Sequence, residues 1–224
     1  AETIEVPDEF LADREWHIRR PRPDIGICAV AARAIAKAKK PFIVAGGGVI
    51  YSDAHDALQK FVEQTKIPVG ASQAGVGSLN WDHPQLLGSV GATGTTAANR
   101  AAKDADVVIG IGTRYSDFTT SSRTAFQNPD VRFININIAS FDAYKHGSAL
   151  PVVADARETL TELTTLLNGF STSSEYQSAY SRDKAEWDAI VDAAFVDQKL
   201  ELPSQTEIIH AVQSATEATD TVIC

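Results

Sequence analysis

Three consecutive glycines, Gly46, Gly47 and Gly48, follow the apolar run Pro41-Phe42-Ile43-Val44-Ala45 and precede a helical pattern that starts near Ser52 or Asp53. Residues without a Cβ let backbone come close to a bound group, and a helix N-terminus receives anions. The same run serves equally as a tight turn packed under a sheet, because it has neither GxGxxG spacing nor the lysine of a phosphate-binding loop. A second glycine-rich stretch is Gln73-Ala74-Gly75-Val76-Gly77-Ser78, and a third runs from Gly88 through Gly91 and Gly94 to Thr95 and Thr96, where the next helix opens. Its amides and hydroxyls suit a diphosphate or a carboxylate, or else a threonine cap. In Gly112-Thr113-Arg114-Tyr115-Ser116-Asp117, Arg114 is able to pair with phosphate and Asp117 to cap a helix; a structural Arg–Asp pair accounts for them as well. Asn135 and Asn137 alternate within Phe133-Ile134-Asn135-Ile136-Asn137-Ile138 and so share one sheet face, where their amides reach a ribose or cap a neighbouring loop.

Other chemistries lack their residues. The histidines His17, His55, His83, His146 and His210 show no HxxxH or HExxH spacing, and Cys28 and Cys224 form no CxxC or Cys/His cluster. Neither a zinc site nor a disulfide framework is indicated. There is no GxSxG nucleophile elbow, and no Gly-Asp-Gly followed by an asparagine pair. No catalytic residue and no metal ligand is therefore assigned. A net charge of −9 argues against binding the nucleic-acid backbone, which requires a basic surface. No apolar run approaches the ~20 residues that span a bilayer, and the first ten residues have no signal-peptide pattern, so a cytoplasmic setting is expected.

The elements that would carry these loops alternate in type. Five short apolar runs, PFIVAG, IPVGAS, DVVIGIG, VRFININI and LPVVA, are separated by helical patterns near 53–65, 95–102 and 156–167. Such alternation predicts an α/β fold, an open doubly wound parallel sheet of Rossmann-like type. Ligands approach such sheets at the C-terminal strand ends, here after Ala45, Ile111 and Ile138. An earlier helix is expected over 24–40, with Ile27, Val30, Ala31, Ala34 and Ile35 on its inner face. Residues 1–23, ending in Pro21-Arg22-Pro23, read as an interdomain linker, and 24–168 as the central domain. Residues 169–204 read as a polar linker with a helix over 178–195, and 205–224 as the start of a further domain. In that last part a helix covers 205–218, and Thr221 to Cys224 resembles a strand cut off as it begins.

The runs GGGVIYS, QAGVGS, GATGTTAAN and GIGTRYSDFTT resemble the central domain of the acetolactate synthase superfamily of thiamine-diphosphate enzymes. The resemblance covers roughly residues 9–168, and within the superfamily it is closest to the trihydroxycyclohexane-1,2-dione hydrolases of myo-inositol catabolism. It implies a three-domain parent that uses thiamine diphosphate and magnesium, bound outside this chain, to open the ring of a cyclic diketone hydrolytically. The central domain alone would be structural or nucleotide-binding and not catalytic. Flanking domains of the same polypeptide would be its partners, and the parent would be a homo-oligomer. In flavin-containing relatives the equivalent domain holds FAD. Carried over, that implies cofactor contacts at Gly46, Gly47, Gly48, Gly91, Gly94, Gly112, Thr113, Arg114, Asn137 and Asp155, with FAD or ADP as the ligand. Two positions depart from the flavin pattern: Asn137 stands where an acidic residue is expected, and Phe118 where a basic one is expected. The alternatives are the central domain of an acetolactate synthase-like carboligase and a non-catalytic flavin- or nucleotide-binding module.

Overall fold

Uncharged runs rich in β-branched residues form the middle of the sheet, because a strand covered on both faces has no place for a charge. The computed structural model describes residues 5–220, except 16, 18, 146, 148, 197–201 and 218; the expected strand over 221–224 lies outside the described residues. In chain order the elements are α1 (Asp8–Leu11), α2 (Ile25–Lys37), β1 (Pro41–Ala45), α3 (Gly47–Tyr51), α4 (His55–Thr65), β2 (Val69–Ala71), β3 (Leu86–Ser89) and α5 (Thr96–Asp104). They continue with β4 (Val107–Ile111), α6 (Asp117–Thr120), β5 (Arg132–Asn137), α7 (Ser140–Ala143), β6 (Leu150–Val153), α8 (Ala156–Leu166), α9 (Ser174–Ala194) and α10 (Gln205–Ala215).

The six strands pair in parallel in the order β3-β2-β1-β4-β5-β6. The register aligns Ile43 with Val69 on one side and with Ile109 on the other, and Ile109 with Ile134. The chain moves outward from β1 to β3 and then returns to β4 on the opposite flank of β1. That reversal opens a crevice between the C-terminal ends of β1 and β4, the expected place for a site in an open α/β sheet.

Alternate strand residues feed two cores. Ile43, Ile109, Ile134, Ile136 and Val152 point to one face and meet α2, α4 and α8 through Ile35, Leu58, Phe61, Leu160 and Leu163. Phe42, Val44 and Val108 point to the other, covered by the alanines of α5 and by Tyr176 and Tyr180 of α9. Each fully buried side chain of this size contributes about 1.5–3 kcal/mol.

Four details differ from the sequence reading. The edge strand β3 went unforeseen: Leu86-Leu87-Gly88-Ser89 has no β-branched residue, only Leu87 is buried, and its pairing with β2 is irregular. Helix α2 starts at the Asp24 cap, whose carboxylate accepts from the Ile27 amide, and it buries Cys28, Ala31, Ala32 and Ile35. The inner stripe is therefore turned from the expected one, leaving Ile27 and Val30 36% and 43% exposed. The helix expected over 53–65 is α4, and the short helix α3 inside the glycine run went unforeseen. Finally, α9 starts at Ser174, because Tyr176 and Tyr180, one turn apart and edge-on at 5.5 Å, bring it onto the sheet domain. Their hydroxyls donate to the carbonyls of Pro41 and Lys66, each at 3.1 Å. Helix α10 ends at Ala215, carries a Ser204/Glu207 capping box and buries no residue.

Candidate functional site

The β1 and β4 ends are joined by backbone alone. The Gly46 amide donates to the Ile111 carbonyl at 2.8 Å and the Gly48 amide to the Gly112 carbonyl at 3.0 Å. A Cβ on Gly48 would lie 2.5 Å from the Gly112 Cα, and one on Gly46 would overlap the Gly112 carbonyl. Gly112 itself has φ +59, so both the conformation and the contact demand glycine. What the glycine turn lets approach is the Gly112 turn after β4.

Above this junction opens a cleft of about 960 Å³ at the C-terminal edge of the sheet. Gly47, Gly48, Gly112, Thr113, Arg114, Asn137 and Asp155 line it, so seven of the ten sequence candidates converge there. Gly46 lies behind it in the backbone junction. Gly91 and Gly94 belong to a different contact: the Asn99 side chain accepts from the Gly91 amide and donates to the Gly91 carbonyl, both at 2.9 Å, and the Ala92 amide donates to the Phe118 carbonyl at 2.7 Å. That loop docks on α6, while Thr95 caps α5 by accepting from the Ala98 amide.

The polar candidates within the cleft divide by what already holds them. Asn137 Nδ2 donates to the Thr113 carbonyl at 3.1 Å, and its Oδ1 accepts from the Ala139 amide at 3.0 Å, tying the loops after β4 and β5 together. Asn135, which is not among the residues lining the cleft, accepts from the Tyr115 hydroxyl at 3.0 Å and donates to the carbonyls of Ala143 and Lys145. The Asp155 carboxylate caps α8, accepting from the amides of Arg157 and Glu158 and from Ser52 Oγ. Arg114 is exposed and makes no ion pair with any described residue. It is the cleft candidate with its donors still available.

Sequence reasoning missed Arg19, Tyr51, Ser52 and Ser72, which also line the cleft. Ser52 ends α3 and pairs with Asp155 at 2.7 Å across 103 residues of sequence; no local pattern signals that. The pattern Asp155-x-x-Glu158 before an apolar periodic stretch did contain the cap.

Ser52 Oγ meets a carboxylate already engaged by two amides, with no histidine between them. Burial pushes the Tyr115 phenol well above its ordinary value. Burial, helped by Glu162 and Asp24, pushes the Cys28 thiol up to about 11, so it stays protonated at neutral pH. Among the described residues no three His, Cys, Asp or Glu side chains cluster to hold a metal, and no helix is long and apolar enough to cross a membrane. Thiamine diphosphate with its magnesium does not fit the described residues, which offer Arg114 but no carboxylate set for the ion.

Comparison with known proteins places the chain in a family. Residues 28–163 match the family model for the central domain of thiamine pyrophosphate enzymes. The chain is 41% identical over 194 residues to the 3D-(3,5/4)-trihydroxycyclohexane-1,2-dione hydrolase of Clostridium tetani, covering 87% of this chain and 30% of that protein. It is 43% identical over 187 residues to the protein of the same name from Bacillus thuringiensis, covering 84% and 29%. For the Clostridium botulinum protein of that name the identity is 44% over 186 residues, covering 83% and 29%. The chain thus spans less than a third of the length of these relatives. With its doubly wound parallel sheet and a family match over most of that sheet, the chain belongs to the thiamine pyrophosphate enzymes, as their central domain.

Proposed function

We propose that this chain is the central domain of a thiamine-diphosphate-dependent hydrolase that opens the ring of 3D-(3,5/4)-trihydroxycyclohexane-1,2-dione in inositol catabolism. The observation that carries the reading is the 41–44% identity, over more than four fifths of the chain, to three proteins bearing that name. The cofactor supplies the carbanion chemistry in such an enzyme, and on this reading it and its magnesium are held by the flanking domains. The central domain contributes architecture: the Gly48–Gly112 junction fixes the sheet edge, and Asn137 fixes the loops that follow. The parent is expected to be a cytoplasmic homo-oligomer.

The cleft is the part of this chain still open to a ligand. Arg114, with Arg19 on the rim and Gly47, Gly48, Gly112 and Thr113 beneath, suits a phosphate group, which makes ADP or FAD the probes to use. Asn137 and Asp155 are withdrawn from that role, because their side chains are already hydrogen-bonded within the protein.

The full polypeptide should be assayed for ring opening of the dione and for acetolactate formation from pyruvate, each with and without thiamine diphosphate and magnesium. Cofactor-dependent ring opening is expected. Acetolactate formation with no ring opening would assign the domain to a carboligase instead.

A further inference from the structure

The segment leading into α2 is fastened to the sheet edge at one node. Arg20 Nη1 donates to the Ser52 carbonyl and lies 3.3 Å from both Ser52 Oγ and Asp155 Oδ2. Next to it the Asp155 amide donates to the Pro21 carbonyl at 2.9 Å, and Arg22 Nε is 3.5 Å from Glu158. Residues 20–22 are thereby held against the end of α3 and the start of α8, which places Arg19 on the rim of the cleft. Before Arg20 every described residue from 5 to 19 is exposed.

The node is unequal on its two sides. Asp155 and Ser52 are nearly buried, and Asp155 Oδ1 accepts from Ser52 Oγ at 2.7 Å, the Arg157 amide at 2.9 Å and the Glu158 amide at 3.2 Å. Taking the guanidinium away leaves the carboxylate with three donors, so the buried charge is not abandoned. Arg20, already 21% exposed, passes into water. The Arg22–Glu158 pair is too exposed on the arginine side to hold the segment by itself.

We propose that residues 19–22 form a latch on the cleft. Closed by Arg20 on Ser52 and Asp155, the latch sets one rim; open, it frees that rim while the sheet domain stays folded. This assignment does not depend on which substrate the parent enzyme takes.

The test uses the whole chain as wild type, Arg20→Ala and Arg20→Lys, read by amide exchange and by trypsin cleavage after Arg19. In Arg20→Ala, exchange of the Asp155 amide should rise about tenfold or more, the scale of losing a charge-assisted hydrogen bond. Cleavage after Arg19 should rise with it, while the amides of Ile43 and Ile109 keep their wild-type protection. Arg20→Lys should fall between, because it keeps the charge and loses the fork. Unchanged protection of the Asp155 amide in Arg20→Ala would overturn the latch. Equal loss of protection at Ile43 and Ile109 would also overturn it, since the node would then be part of global stability.

Discussion

Replacing Gly112 with alanine tests whether the sheet edge is built by backbone contact. The residue sits at φ +59, where an L side chain is strained, and its new Cβ would lie 2.8 Å from the Gly48 amide nitrogen and overlap the Gly48 Cα. The conformation alone costs about 1–2 kcal/mol, and overpacking a site that cannot yield adds about 1–3 kcal/mol. The obstacle is backbone fixed by the Gly48–Gly112 hydrogen bond and by the Gly112 amide on the Ile136 carbonyl at 2.8 Å, so the total should lie in the upper half of that range. Gly169→Ala is the matched control: its φ is +81, but a Cβ there meets nothing within 4 Å, so only the conformational cost of about 1–2 kcal/mol applies. Urea unfolding of both variants at one temperature, with m-values compared, reads the difference directly. Gly112→Ala should be the less stable by about 1–3 kcal/mol. If the two variants unfold at the same urea concentration, the contact between the two turns carries no energy and the reasoning fails.

Tyr176→Phe and Tyr180→Phe should each lose about 1 kcal/mol in the same assay, because the Pro41 and Lys66 carbonyls lose a donor; no change in either would detach α9 from the energetics of the sheet domain. His83 is nearly buried, and burial, opposed mainly by Glu63, holds its folded pKa below the ordinary 6.5. The unfolded chain therefore takes up the proton first, so stability should fall as pH drops below about 6.5 toward the folded pKa, and His83→Gln should flatten that fall. A slope unaltered in His83→Gln would assign it to other groups. In a Cys224→Ser chain, Cys28 should resist a thiol reagent at pH about 8 until denaturant is added; rapid labelling of the native chain would contradict its burial.

The residues themselves explain why some features were legible beforehand and others were not. Strands β1 and β4 announce themselves because two-sided burial demands uninterrupted apolar residues, and β5 through its β-branched isoleucines, whereas β3, at the edge with a single buried leucine, carries no such signature. The inner face of α2 is misjudged by pattern because Cys28 and Ala32 occupy it in place of the larger Ile27 and Val30. Glycine runs state that something comes close without stating what; here the partner of Gly48 is Gly112, 64 residues on by direct count. Resemblance singled out Asp155 as a cofactor contact. Its partners Ser52 and Arg20 are brought to it only by tertiary structure, 103 and 135 residues away in sequence.

If, as proposed, this domain supports a thiamine enzyme without holding the cofactor itself, calorimetric titration of the purified chain with thiamine diphosphate and magnesium should give no saturable heat at concentrations that load the full polypeptide. Stoichiometric, magnesium-dependent binding to this chain alone would contradict it and would require a cofactor site among residues assigned here to architecture.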